Sequence, residues 1–434
     1  MMERFDRMAL RLAVVVGALV LIFLLPIVAA HAYTVGEPVR LSPAGHNVGE
    51  VSIETSPTNP QAMIANTIDN NRRGNTLIDQ IRCAMYNSQD GGRTWTEVPA
   101  WPEMSAQNRS IHDPWVAVGP DGTFHATCIW YMPNGTGQVA YIKSVDGGRT
   151  WTRPLIITPY AASAGADKSV IEVAHDGRLV VCFRQAGQVI LSQSLNQGAT
   201  WTTKPTGLNA QCNGITTAPP GYITLATVHG SSFQNYGTAT SANNGATWGP
   251  IRTLGGATHI DDVQFPSMVR DSTGRNVIAG VNRSASGAVN RRLMVTMQAD
   301  NGARLSRWQV PSPSSRTCSA GTLIHPQLSV VDARSPALQI MCKVQPTSTA
   351  AGQQEIWLYP AVNQPNNSAA PILVDRLDLP PQSPPPAGSL ASRFPNGGYY
   401  WDFTWTSDGW FPVWIDPRPG KGIGPLYGAH VSNN

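Results

Sequence analysis

The sequence predicts an all-β fold, a closed array of repeated sheets, and three observations carry that prediction. First, an octet recurs: Ser88-Gln89-Asp90-Gly91-Gly92-Arg93-Thr94-Trp95 returns nearly unchanged as Ser144-Val145-Asp146-Gly147-Gly148-Arg149-Thr150-Trp151. Relaxed copies run Ser194–Trp201 and Ser241–Trp248, and a decayed one, Asp300-Asn301-Gly302-Ala303, stands ahead of Trp308. Their Asp or Asn positions lie 56, 50, 47 and 57 residues apart, a period that marks one supersecondary unit repeated around an array. Second, 40 Gly, 35 Pro and 13 Trp suit a turn-rich β protein. Third, the stretches between octets read as short alternating strands bounded by turn signals.

The octet has the chemistry of a turn. Asp or Asn accepts bonds from nearby backbone N–H groups, and Gly supplies positive φ without steric cost. Ser and Thr add side-chain bonds to the turn backbone. Trp then returns the chain to the sheet and buries an aromatic face. Repetition argues that these Asp residues are structural, because a catalytic residue is not needed five times.

The octet resembles the Asp-box, or BNR repeat, of the sialidase-like β-propellers, directly over residues 85–310. The resemblance implies blades of four strands with each box in the hairpin between the third and fourth. It does not by itself imply sialidase activity, since fold and function separate.

In chain order, residues 1–32 come first. Arg4, Arg7 and Arg11 form a basic start, Leu12–Ala30 is almost wholly apolar, and Ala30-His31-Ala32 is a small-x-small site. That is the anatomy of a secretory signal peptide cleaved before Tyr33; an uncleaved anchor is the alternative. Residues 33–434 then form one propeller domain, expected to be secreted, monomeric and without stable membrane insertion. The formal charge is +4 with only 13% charged residues. No basic stripe is present, which argues against a nucleic-acid partner.

Blade 1 is expected from Val51–Ser56, Ala62–Ile68, Ile81–Asn87 and Thr96–Ala100, and blade 2 from Trp115–Gly119, Thr123–Tyr131, Gln138–Ser144 and Arg153–Thr158. Blades 3, 4 and 5 open at Val170, Gly214 and Phe265. Blade 6 runs from Gln327 to Leu377 without a readable box. Asp402–Thr406, Trp410–Ile415 and Pro425–Val431 give only three strands for blade 7, and Pro38–Leu41 is expected to supply the fourth, closing the ring without an open edge. The count is seven, with six, the number in sialidases proper, as the alternative.

Six cysteines in an exported chain permit disulfides without fixing their connectivity. Cys318 and Cys342 flank one strand pair and are the first choice. Cys182 with Cys212 would join blades 3 and 4, leaving Cys83 with Cys128; free buried thiols are the alternative.

In four-stranded blades, first-strand starts and second-strand ends share one face, opposite the boxes. Glu50, Asp113, Asp167, Asp262 and Asp402 stand at first-strand starts, with Asn213 and His325 at comparable points. Arg184, Arg283, Lys343 and Arg418 stand at second-strand ends, beside His229, Trp130 and Tyr131. One mouth is thus lined by carboxylates, guanidiniums and aromatics. Arg184, Arg283 and Arg418 are expected to converge there on an anionic ligand, because a planar fork binds a carboxylate bidentately. The carboxylates could instead hold Ca²⁺, or merely cap local backbone groups.

The family resemblance implies an Arg triad, a Tyr nucleophile paired with Glu, and an Asp acid/base. Asp113, Tyr399 and Tyr400 are the candidate catalytic residues by that analogy. The Arg-Ile-Pro motif of sialidases is absent, and no Glu is evidently placed to activate either Tyr. The closing Asp402-Phe403 … Trp414-Ile415-Asp416-Pro417-Arg418 resembles the last blade of exported sialidase-like proteins. Two function classes follow: a glycoside hydrolase acting on a polar or acidic glycan, and a non-catalytic propeller recognising a glycan, glycoprotein or other protein.

Overall fold

The computed structural model describes residues 33–69, 81–101, 110–131, 136–158, 165–231, 233–256, 266–283, 291–330, 335–362, 370–384, 401–418 and 423–433. Six of its sheets have four antiparallel strands in consecutive order, and a seventh draws on both ends of the chain. The first strands touch in cyclic order: Val48–Thr55, Ser110–Val118, Asp167–Val173, Ala210–Ala218, Ser267–Arg270, Thr322–Ser329, Phe403–Thr406, and back to Val48–Thr55. Their ring surrounds the axis, so the fold is a seven-bladed propeller and the strand count read from the sequence holds.

Closure follows the expected route. Val39–Arg40 pairs with Leu426–Gly428, in the register Val39↔Gly428 and Arg40↔Tyr427. Leu426–Gly428 in turn pairs with the end of Gly409–Ile415. One detail differs: the expected Pro425–Val431 strand breaks, and Val431 pairs back with Trp410. The carbonyl of His430 is taken by the Gly36 N–H, which removes it from the ladder.

The boxes lie between third and fourth strands and are structural. Asp90 accepts from Thr94 N (2.9 Å) and Thr94 Oγ1 (2.6 Å), and Ser88 Oγ accepts from Gly92 N. Asp146 repeats these bonds with Thr150 and Arg149 N; Asn196 and Asn243 likewise accept from the N–H of Thr200 and Thr247, but donate through Nδ2 to the Thr hydroxyls. Burial works against ionisation of Asp90 and Asp146, but the bonds from their Thr, Ser and backbone partners outweigh it and hold both carboxyls below the usual range. The decayed fifth copy is held otherwise, by a two-pronged contact of Arg270 with Asp300.

Each box turn also docks on the preceding blade. Gly147 O accepts from Asn87 Nδ2 and Gln89 Nε2 of blade 1, and Asn244 O from Gln193 Nε2 of blade 3. The second box glycine adopts positive φ and has no room for a side chain: a Cβ on Gly148 would stand 2.0 Å from Ile64 Cδ1. Apolar cores fill the spaces between neighbouring blades, as where Ile64, Cys83 and Met85 of blade 1 meet Phe124, Cys128 and Ile142 of blade 2. All six cysteines pair, Cys83–Cys128, Cys182–Cys212 and Cys318–Cys342. The first two tie neighbouring blades together across those cores.

Candidate functional site

The site residues are positioned by β-bulges. The structure carries the first strands of blades 1, 2, 3, 4 and 6 three to five residues further back than the alternation suggests, through register shifts at 49/51, 112/115, 167/170, 212/214 and 324/327. Glu50, Asp113 and Asn213 therefore sit inside strands, and they do not cap strand starts. A bulge inserts an unpaired residue and re-aims its side chain. Glu50, Asp113 and Lys168 all have positive φ (47°, 50° and 55°), a conformation unusual for such residues.

At the centre stands Lys168. It is 4% exposed, its backbone N–H donates to Asp113 Oδ2 at 3.0 Å, and its ammonium lies 5.8 Å from the centre of the Trp115 ring. Burial pulls its pKa down, the charges of Glu50, Asp113 and Asp167 pull it back up, and the result is about 8. The ammonium thus supplies positive charge among the carboxylates for which the sequence suggested a cation. Among the described residues, no group of three or more His, Cys, Asp or Glu side chains is arranged to hold a metal ion.

Arg184 is the cross-strand neighbour of Asp167. Its guanidinium carbon lies 4.9 Å from the centre of the Phe233 ring, and its enclosed Nε has no hydrogen-bond partner. Two residues back, Cys182 is bonded to Cys212, which precedes Asn213. Asn213 is 4% exposed, and neither of its amide atoms has a partner. Buried polar atoms left unpaired cost about 1–3 kcal/mol each, so this corner of the mouth holds unspent hydrogen-bonding capacity.

The other expected residues stand in the remaining blades of the ring. Asp402 is a seam residue: it accepts from Phe403 N (2.9 Å), Ile53 N (3.1 Å) and Ser52 Oγ (3.4 Å), joining blade 7 to blade 1. Burial lifts its carboxyl to about 7 against those bonds. Arg418 is gripped by its neighbour Asp416, through Nε at 2.9 Å and Nη2 at 2.7 Å. Lys343 is buried, which lowers its pKa to about 7. His229 meets Thr253 Oγ1 at 3.0 Å, and His112 lies edge-on to Tyr131. Arg283 ends the second strand of blade 5 and His325 falls in the blade 6 bulge. Asp262, Tyr399, Tyr400 and residues 1–32 lie outside the described residues.

The sequence reading passed over Lys168, Phe233, and the half-buried Glu54 and Glu172 of the inner strands. Burial raises the carboxyls of both, aided at Glu54 by Asp402 and Glu172 themselves; Glu172 reaches about 8. Their contact with solvent in the channel tempers that rise. A clue to Lys168 was present, since it holds the bulge position at which blades 1 and 2 place the acids Glu50 and Asp113.

A ring of seven sheets with Asp-box hairpins on one face and a polar mouth on the other is the fold of the sialidase-like BNR-repeat β-propellers. A BNR repeat-like domain matches residues 70–278. Among solved structures, a Dyadobacter fermentans protein of unknown function is 15% identical with a TM-score of 0.50, covering 71% of this chain and 94% of its own. The NanB sialidase of Streptococcus pneumoniae is 10% identical with a TM-score of 0.50, over 79% of this chain and 70% of its own. The leech intramolecular trans-sialidase is 14% identical with a TM-score of 0.50, over 80% and 70%. At such identities the likeness is one of fold. No curated protein matches the chain.

Proposed function

We propose that the protein is an exported propeller that binds a polar or acidic glycan, free or on a glycoprotein, at the mouth of its ring. Blade 3 is the recognition element in this reading. The observation that carries it is Arg184, a guanidinium backed by the Phe233 ring with an unbonded Nε, on a strand tied by Cys182–Cys212 to the one that carries the unpaired amide of Asn213. An aromatic ring beneath a cation holds it in place, and a guanidinium fork suits a carboxylate or vicinal hydroxyls. The three disulfides support an oxidising compartment. The reading needs no cofactor, because Lys168 supplies charge among Glu50, Asp113 and Asp167.

Hydrolysis is the second reading, favoured by a carboxyl on an inner strand that burial holds near neutrality, Glu172 at about 8. Such a group can serve as a general acid. Free sugar released from a sialoside and a panel of other glycosides would establish the hydrolase; binding without release establishes the binder. In either case Arg184→Lys, which keeps the charge and loses the planar fork, is expected to weaken glycan binding about tenfold. Arg149→Lys, on the box face, is the control. Equal losses from the two variants refute the mouth as the site.

A further inference from the structure

A second groove runs along the outer wall between blades 1 and 2, with a volume of about 470 Å³. Its sides are Trp101, Arg82 and Glu97 from blade 1, and Trp151, Arg153 and Pro154 from blade 2. The size falls within the usual range for small-ligand pockets, roughly 300–1,000 Å³, enough for one or two sugar rings.

Trp151 differs from Trp95 and Trp201, and shares with Trp248 of the fourth box, which packs on a cluster containing Leu191, the lack of a ring partner among the described residues. The Trp95 ring lies 5.9 Å from that of Phe411, and Trp201 meets Tyr141 edge-on at 5.0 Å, each ring partner coming from the preceding blade. Blade 1 carries Met85 where blade 2 carries Tyr141, three residues before the box serine. Among the described residues no aromatic ring of the preceding blade covers Trp151, which is half-buried like the other box tryptophans.

The walls are fixed in advance. Trp151 Nε1 donates to Gly148 O at 3.1 Å, and Trp101 Nε1 to Asn66 Oδ1 at 3.1 Å. Arg82 is held through Nη2 by Asp69 (3.0 Å) and Glu97 (2.6 Å), while its Nε bonds to nothing. Those two carboxylates offset its charge. Arg153 is exposed and its side chain has no hydrogen bond or ion pair among the described residues, so among these it is an open positive charge of the groove. A fixed aromatic face beside one uncommitted guanidinium suits a ligand with an apolar ring face and a single anionic substituent. Preorganised walls reduce the ordering cost of binding.

We propose that this groove is a second carbohydrate site, taking a pyranose that carries a carboxylate, with its ring face on Trp151 and its carboxylate on Arg153. The proposal does not depend on what the mouth binds.

The test uses the disulfide-bonded chain with trigalacturonate and 3′-sialyllactose as acidic probes and maltotriose as the neutral one. Binding is read by saturation-transfer NMR and by tryptophan fluorescence. At least one acid is expected to bind and to shift the fluorescence, with maltotriose weaker. Arg153→Ala should weaken the acid about tenfold and Arg153→Glu more, with maltotriose unchanged. Because Arg153 is exposed and its side chain has no partner among the described residues, these variants test the site without threatening the fold. Trp151→Leu, with an unchanged unfolding midpoint, should remove the Arg153-dependent part of the binding of the acids and lower the binding of maltotriose, leaving any binding at the mouth. In an Arg184→Lys background, which weakens the mouth, Arg153→Glu should still remove a fluorescence response that Arg184→Lys alone retains. No binding of either acid at millimolar concentration, equal affinity in Arg153→Glu, or loss only in Arg184→Lys overturns the proposal.

Discussion

Replacing Gly148 with Ala tests whether the boxes fix blade spacing by close approach or merely by turn shape. Gly148 has φ +84°, and an added Cβ would stand 2.0 Å from Ile64 Cδ1 and 2.7 Å from Asn87 Nδ2 on blade 1. Gly177 supplies the matched control: its φ is +78°, and a Cβ there would meet nothing within 4 Å. Both substitutions pay about 1–2 kcal/mol for a left-handed L-residue. Only Gly148→Ala adds overpacking, typically about 1–3 kcal/mol. The total is about 2–5 kcal/mol against about 1–2 for Gly177→Ala, or, at about 2–4 °C per kcal/mol for a large domain, several degrees more loss in midpoint. The assay is thermal unfolding of both variants with disulfides intact, followed by circular dichroism. Equal midpoints for the two would refute the claim that close contact with blade 1 requires glycine at this position.

Three further outcomes are expected. Asp146→Asn should be nearly silent, because Asn196 and Asn243 make the same turn bonds, whereas Asp146→Ala should cost about 1–3 kcal/mol in denaturant unfolding; similar losses from both would show that the charge matters. Cys182→Ser with Cys212→Ser opens a loop of sequence separation 30, and chain entropy puts the loss at about 3–4 kcal/mol, measured by denaturation after mass spectrometry confirms that the other two disulfides are intact. The carboxyl of Asp402 is raised in the fold from 3.8 to about 7, so the folded state binds the extra proton. That contribution is complete below about 4 and is lost as pH rises through 7. Asp402→Asn should therefore flatten the fall of stability between pH 5 and 8 seen by thermal unfolding, and an unchanged slope would count against a buried, proton-holding seam.

Most of the fold was legible because its determinants are local. An Asp-box needs only Ser, Asp or Asn, Gly, Thr and Trp at fixed spacing, so the turns and the period could be read directly. Seven blades and closure by Val39–Arg40 followed from counting strands, since an open sheet edge is unfavourable. The site was half legible. Glu50, Asp113 and Asp167 were read as strand-start residues lining the mouth, yet Glu50 and Asp113 lie inside bulged strands. A bulge breaks the alternation of period two that reveals a strand, so the sequence pattern ended where the strand did not.

The sequence by itself determined the repeated blades, their number, the face on which the boxes lie and the polar character of the opposite mouth. Each of these follows from residues within one blade. Only the tertiary structure decided which charges meet. Lys168 answers to acids from blades 1, 2 and 3, Arg184 rests on a phenylalanine of blade 4, and Asp402 bonds to blade 1 across the closure. Such partners lie up to about 350 residues apart in the chain, and no local pattern records them. They meet because seven inner strands are drawn around one axis, and burial there sets the charge of each group.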